Sequence, residues 1–229
     1  MSENNPITMP KSIAILGGTG KEGKGLAYRW ARAGYEVTIG SRQLEKAQAA
    51  VAELQPLLPA DCVVRGSTND QAAQEADLVV LTVPYNVHTT MLEYIKPYVQ
   101  GKIFIDVTVP LVPPKVTKVQ MPAAGSASME AQQILGEGVA VVSAFQNISY
   151  EHLLHDQDVE CDVLVCGTGK AARAVVLKLV KDAGLTGWDA GVLENSMVVE
   201  GMTSILIGLN KQYGVDSAGI RITGIPNRE

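Results

Sequence analysis

Cysteine, aromatic residues and charge are all scarce in this chain. Its 229 residues include three cysteines, Cys62, Cys161 and Cys166. No two of them form a Cys-x-x-Cys pair, so neither a disulfide framework nor a zinc site is expected, and the odd count fits a reducing compartment, the cytoplasm. Aromatic residues make up 5% against 22 glycines, a mixture closer to α/β enzymes than to all-β sandwiches. Charged residues are 19% with a net charge of −5, which leaves no basic face with which to coat a nucleic acid. An anionic ligand must then be held locally, by a few Lys or Arg and by backbone N–H groups. Long apolar runs are missing too. The stretch from Met197 to Leu209 is interrupted by Glu200 and is too short for a bilayer, and the opening MSENNPITMPK has no apolar segment of signal-peptide type. What the chain does have is 46% hydrophobic residues, enough for a core, which excludes disorder of the whole chain.

The apolar residues fall into a strand–helix rhythm. After a polar tail at 1–11 come strands at 12–16, 35–39, 62–65, 77–83 and 102–107. Helices are expected between them at 20–33, 42–54, 69–76 and 85–95. Such apolar strands alternating with helices predict a parallel sheet covered on both faces, an α/β doubly wound arrangement over 12–110. Beyond Pro110 the texture changes. Pro113, Pro114, Pro122 and the small residues 123–128 read as an irregular loop. Strands follow at 139–144 and 162–166, a helix at 170–183, a strand or turn at 185–190 and an apolar helix at 195–213. Residues 111–229 are expected to extend the sheet and to cap a cleft, as a small C-terminal α/β subdomain.

The sharpest motif is Gly18-x-Gly20-x-x-Gly23, directly after the first strand and opening a helix. Gly18 serves the tight turn, Gly20 lets backbone approach a pyrophosphate, and Gly23 lets the helix pack close to the sheet. The pyrophosphate then meets the free N–H groups and positive dipole end of the helix. A glycine-rich turn alone is common, and it is the placement between strand and helix that points to a dinucleotide. The second strand runs into Ser41 and Arg42, with Lys46 a turn later, where an NAD site usually has Asp or Glu for the ribose 2′-hydroxyl. A hydroxyl, a guanidinium and an ammonium there suit a 2′-phosphate, hence NADP; solvated basic residues at a helix start are the alternative.

Taken together, GGTGKEGKGLAYRWARAGYEVTIGSRQLEKA, Leu81-Thr-Val-Pro84, Val142-Ser-Ala144, Asp189-Ala-Gly-x-Leu-x-Asn-Ser196 and Val199-Glu200 resemble the small NADP oxidoreductases that depend on the deazaflavin coenzyme F420. The resemblance implies a Rossmann-type domain with a small C-terminal subdomain, the deazaflavin in the cleft between them, and commonly a homodimer. It places Thr19, Gly20, Lys21 and Glu22 on the pyrophosphate and Ser41, Arg42 and Lys46 on the 2′-phosphate. Thr82, Val83 and Pro84 would run along the ribose and nicotinamide, with Ala144 bordering the nicotinamide. Two segments differ from the family pattern: Phe145-Gln-Asn-Ile-Ser149 stands where a His-Thr-Ile-Pro type segment is usual, and Met197 replaces a basic residue.

Hydride transfer between two flat ring systems needs proximity, alignment and exclusion of water rather than a nucleophile or metal. No Ser/His/Asp or Cys/His arrangement is evident, in keeping with that chemistry. Among the three histidines, His88 is expected at a surface or capping position, with approach to a cofactor as the alternative. His152 and His155 are spaced for one helix face but lack a third ligand, so no metal is expected. Glu200 stands either on an exposed face or in the cleft, where it would bond the acceptor or hold a proton relay; Asn195 and Ser196 are expected to cap its helix. An NADPH-dependent reductase of another acceptor (flavin, imine or small carbonyl compound) and a non-catalytic NADP sensor share the same sequence features.

Overall fold

The computed structural model describes residues 8–154 and 159–225. Along them run β1 (Ser12–Leu16), α1 (Lys21–Arg32), β2 (Glu36–Ser41), α2 (Leu44–Leu54), β3 (Val64–Thr68), α3 (Asn69–Glu75), β4 (Leu78–Leu81), α4 (His88–Ile95) and β5 (Ile103–Asp106). The remainder is α5 (Ala127–Leu135), β6 (Ala140–Ser143), β7 (Asp162–Gly167), α6 (Lys170–Asp182), β8 (Thr186–Gly191) and α7 (Ser196–Tyr213). His155 and the first seven residues of the expected tail lie outside the described residues. No helix among the described residues is long and apolar enough to cross a membrane.

All eight strands join one sheet in the order β3-β2-β1-β4-β5-β6-β7-β8. Neighbours from β3 through β6 pair in parallel, as does β7 with β8. The chain thus crosses from β3 over β2 and β1 to β4, and the strand ends part between β1 and β4, where ligands bind in open α/β sheets. Period-2 alternation divides each strand between two cores. Ile13 and Ile15 pack with Leu26, Trp30, Ala50, Leu54, Val176 and Leu179 of α1, α2 and α6. Ala14 and Leu16 face the other way, toward Ala72, Leu92, Ile95, Ala131 and Leu135 of α3, α4 and α5.

Beyond Pro110 the structure refines the expected elements. Helix α5 begins at Ala127, inside the stretch 123–128 expected as loop, and runs to Leu135. Ser126 caps it, accepting the Met129 N–H at 2.9 Å, and Ala127, Ala131 and Leu135 form its buried stripe. The parallel sheet expected over 12–110 is found, and in its extension β7 runs antiparallel to β6 through Val142–Gly167 and Ser143–Cys166. The 144–161 connection carries no crossover helix among its described residues. It folds instead over α1, where Arg29 donates to the main-chain oxygens of His152 (2.8 Å), Leu153 (2.9 Å) and Ala183 (3.1 Å). A parallel neighbour requires a crossover, which this segment does not supply.

Glu200 is neither exposed nor in the cleft. It is fully buried against the α5 N-terminus, accepting from Ala127 N (2.7 Å), Ser128 N (3.1 Å) and Ser128 Oγ (2.8 Å). Two otherwise orphaned helix N–H groups are thereby paired and α7 is tied to α5. Asn195 holds the N-cap position of α7 without a side-chain cap hydrogen bond, donating instead to Ala190 O, and Ser196, the first residue of the helix, shares a hydroxyl hydrogen bond with Ser126. Removing the clamp in Glu200→Ala is expected to cost about 2 kcal/mol, read as a lower urea midpoint. Burial, then the charge of Asp106, lift the Glu200 carboxyl to about 7 against its helix hydrogen bonds. A carboxyl so raised favours the folded chain most below about 4.5 and less as pH rises through 7. Urea midpoints between pH 5 and 8 should therefore decline more steeply in the wild type than in Glu200→Gln.

Candidate functional site

The turn after β1 is built by four glycines with different duties. Gly17 is the left-handed residue, φ +67°, and a Cβ there would stand 2.5 Å from Val83 Cγ1. The tight turn assigned to Gly18 therefore falls on its neighbour, outside the Gly-x-Gly-x-x-Gly pattern. Gly18 is required for another reason, since its Cβ would meet Ile15 O at 2.6 Å. Gly23 lies so close to the turn that a Cβ would stand 2.5 Å from Gly18 Cα. At Gly20, the residue just before α1, nothing lies within 4 Å of the missing Cβ. Among the described residues the helix start is thus open at Gly20, and the first N–H groups of a helix lack intrahelical partners.

Two clefts meet at this turn and share Gly17, Thr19, Val83 and Pro84. The first, about 1040 Å³, extends over β2 and β3 to Ser41, Arg42, Lys46 and Asn69. Arg42 and Lys46 are exposed here and Ser41 is buried, so the structure brings together the three residues expected at a 2′-phosphate. Asn69 was not foreseen. Its Oδ1 accepts the Gly17 N–H at 3.1 Å, tying α3 to the turn, and its Nδ2 has no partner among the described residues. No local pattern announces it, because the contact spans 52 residues of sequence.

The second cleft, about 900 Å³, continues over Gly20, Lys21, Glu22, Gly23 and Thr82 to the ends of β5 and β6 and to α7. Lys21 is turned toward Glu151 at 3.1 Å and lies 4.7 Å above the Tyr150 ring. Burial raises the Glu22 carboxyl to about 8, so at neutral pH it adds little negative charge to the helix start. Ala144 is fully buried and does not line either cleft; the wall there is made by Gln146 and Asn147. Their amides are fixed from behind. Gln146 Nε2 donates to Asp106 O (2.7 Å) and Ser143 Oγ (2.8 Å), and Asn147 Nδ2 to Val199 O (3.0 Å) and Thr203 Oγ1 (3.1 Å). Both amide oxygens are without a partner among the described residues. Phe145 before them adopts φ 75°, unusual for a side-chain-bearing residue, and its ring packs edge-on against Trp30 at 5.6 Å. His88 is not at the surface: it is fully buried behind this wall. The far side is closed by the stretch after α7, with Asp216 and Ala218 in the lining.

A cleft with basic residues at one end, joined at the glycine turn to a second cleft of about 900 Å³, agrees with the comparisons to known proteins. Residues 12–110 match the family model described as NADP oxidoreductase, coenzyme F420-dependent. The F420-dependent NADP reductase of Methanocaldococcus jannaschii is 40% identical over 222 residues, covering 93% of this chain and 98% of that protein. The chain belongs to this family. The F420-dependent NADP reductase of Methanothermobacter thermautotrophicus is 41% identical over 228 residues, with 96% and 98% covered. A solved structure from Arthrobacter sp. FB24, assigned to F420-dependent NADP reductases, superposes with a TM-score of 0.77 at 25% identity, covering 94% of this chain and all of that one. The match to these relatives runs through the C-terminal part of this chain as well as residues 12–110.

The glycine geometry separates folding from ligand binding. Gly20→Ala should fold with an unchanged melting temperature yet bind NADPH at least tenfold more weakly, whereas Gly23→Ala should melt at markedly lower temperature. Calorimetry and fluorescence titration check the two together; loss of stability in Gly20→Ala would refute the assignment of open space to the ligand.

Proposed function

We propose that the protein transfers hydride between NADP(H) and coenzyme F420, and that the trough between β1 and β4 is where the two meet. The observation that carries this reading is the open helix start at Gly20, placed between a basic 2′-phosphate end and a second cleft, in a chain about 40% identical over nearly its whole length to F420-dependent NADP reductases.

Thr19, Gly20, Lys21 and Glu22 hold the pyrophosphate at the α1 N-terminus, with Gly18 and Gly23 shaping the turn. Ser41, Arg42 and Lys46 take the 2′-phosphate through charge-assisted hydrogen bonds. Thr82, Val83 and Pro84 form the strip along which the ribose and nicotinamide lie. The bound ring systems supply the hydride chemistry, and the chain contributes orientation and a water-poor wall. Residues 111–229 line the acceptor side through Gln146, Asn147, Thr203 and the stretch after α7. Coenzyme F420 is thus a small-molecule co-substrate, and neither nucleic acid nor membrane enters the reading.

Apolar side chains exposed on α7, Met197, Val198, Ile205 and Leu209, support a homodimer through that helix, and the three free cysteines support a cytoplasmic setting. Sedimentation should give twice the chain mass for the wild type and a single chain for Ile205→Glu.

The activity is tested anaerobically by mixing protein, NADPH and coenzyme F420 and following the deazaflavin absorbance. Rapid bleaching is expected with NADPH and little with NADH. Arg42→Ala should raise the NADPH concentration required about tenfold while leaving the weak NADH rate unchanged. Tight NADPH binding without bleaching would retain the nucleotide and remove the deazaflavin.

A further inference from the structure

A cluster of titratable side chains lies behind the acceptor wall and takes no part in the binding roles described above. His88 is fully buried, and both ring nitrogens meet carboxylates: Nε2 is 2.8 Å from Asp106 Oδ2 and Nδ1 is 3.3 Å from Glu130 Oε2. A neutral imidazole has one N–H and would set a lone pair against one of these carboxylates, whereas the doubly protonated ring serves both. Asp106, also fully buried at the end of β5, reaches the cleft in two ways. Its Oδ1 accepts the Thr108 N–H at 3.0 Å, and its main-chain oxygen accepts Gln146 Nε2 at 2.7 Å. Thr108 and Gln146 both line the second cleft, as does Tyr85, whose ring lies 5.8 Å from the His88 ring at 32°.

We propose that His88, held as an imidazolium between Asp106 and Glu130, is a positioning residue for the acceptor wall. It touches neither cosubstrate. It acts through Asp106 on Thr108 and Gln146, and by its ring on Tyr85. Burial opposes its charge, but the charges and hydrogen bonds of Asp106 and Glu130 prevail, and its pKa lies above the ordinary 6.5. Of the other groups facing the cluster, Tyr85 and Cys166 keep their protons near neutrality, while Glu200 is about half ionised there and titrates in the same range. Tyr85 is pushed up to about 12 by burial and by Glu130, Glu200 beyond Asp106 to about 7, and Cys166 beyond Glu200 to about 11. A raised imidazole pKa means that the strut is complete below 6.5 and is lost as pH rises through the ring's own value.

The inference leans on the proposed activity only for its kinetic arm. In NMR titrations from pH 5.5 to 9, the His88 ring signals, assigned by their absence in His88→Gln, should titrate above 6.5. The Thr108 amide and the Gln146 side-chain NH₂ should shift with the same midpoint. Glu130→Gln, a change at a quarter-exposed side chain, should lower all three midpoints together by about one unit. Thr108 and Gln146 signals that stay flat while His88 titrates, or a His88 that is neutral throughout, would overturn the proposal. In the deazaflavin assay the KM for coenzyme F420 should rise about tenfold across that midpoint, with kcat changed far less, and the rise should move to lower pH in Glu130→Gln. Bleaching whose pH profile ignores Glu130→Gln overturns the inference alone. A wild type that bleaches at no pH sinks the activity and leaves the NMR shifts to decide the strut.

Discussion

The architecture hangs on one close backbone approach, Gly23 of α1 against Gly18 of the preceding turn. A single methyl group at Gly23 would overlap backbone there, so the helix start can press against the strand end only because neither residue carries a side chain. That contact fixes the height and tilt of α1, and α1 in turn carries much of the C-terminal half. Trp30 donates to Leu179 O on α6 and braces Phe145, while Arg29 gathers three main-chain oxygens from two distant segments. The dinucleotide turn and the acceptor wall are consequently referenced to the same helix. Their separation is set by α1 rather than by a flexible linker.

The electrostatics divide along the same line. At the nucleotide end charge is exposed and local, with Arg42 and Lys46 in solvent and Glu22 held largely neutral by burial. Behind the acceptor wall charge is withdrawn from solvent and mutually satisfied, in the fully buried Asp106 and His88 with the partly exposed Glu130, while the Glu200 carboxyl, raised to about 7, clamps α5. Exposed cations can move to meet a phosphate. Buried pairs cannot move without losing their partners, and this suits a surface that must hold a ring at a fixed distance from another.

Much of this was legible in the sequence, for reasons specific to each element. β1, the turn and α1 stand out because glycines punctuate a short buried strand and an amphipathic helix, and strand β1 is found at the expected residues. Helix α5 escaped because Ala, Gly and Ser dominate its approach; the signal was the Ser126 cap with Ala127, Ala131 and Leu135 four apart. The reversed direction of β7 is not written in composition at all, only in the missing crossover. Within the site, Ser41, Arg42 and Lys46 sit together as local spacing suggests, but Asn69 reaches the turn from another strand end. Ala144, Glu200 and His88 were misplaced for a common reason. Whether a residue beside a cleft faces it or the core depends on packing partners far away in the chain, and no local period records them.

The stretch after α7 gives the chain's end an unexpected standing. It returns alongside β7, where Ile220 O accepts from Asp162 N at 2.7 Å and Ile222 N donates to Asp162 Oδ2 at 2.7 Å, a carboxylate that also receives Trp188 Nε1. Asp162 thereby fastens the segment that brings Asp216 and Ala218 to the cleft. Residues beyond the last helix are a doorpost here rather than a fringe. Changes in their length or sequence among family members would reshape the entrance for the acceptor while leaving the dinucleotide turn, at the opposite end of the sequence, untouched.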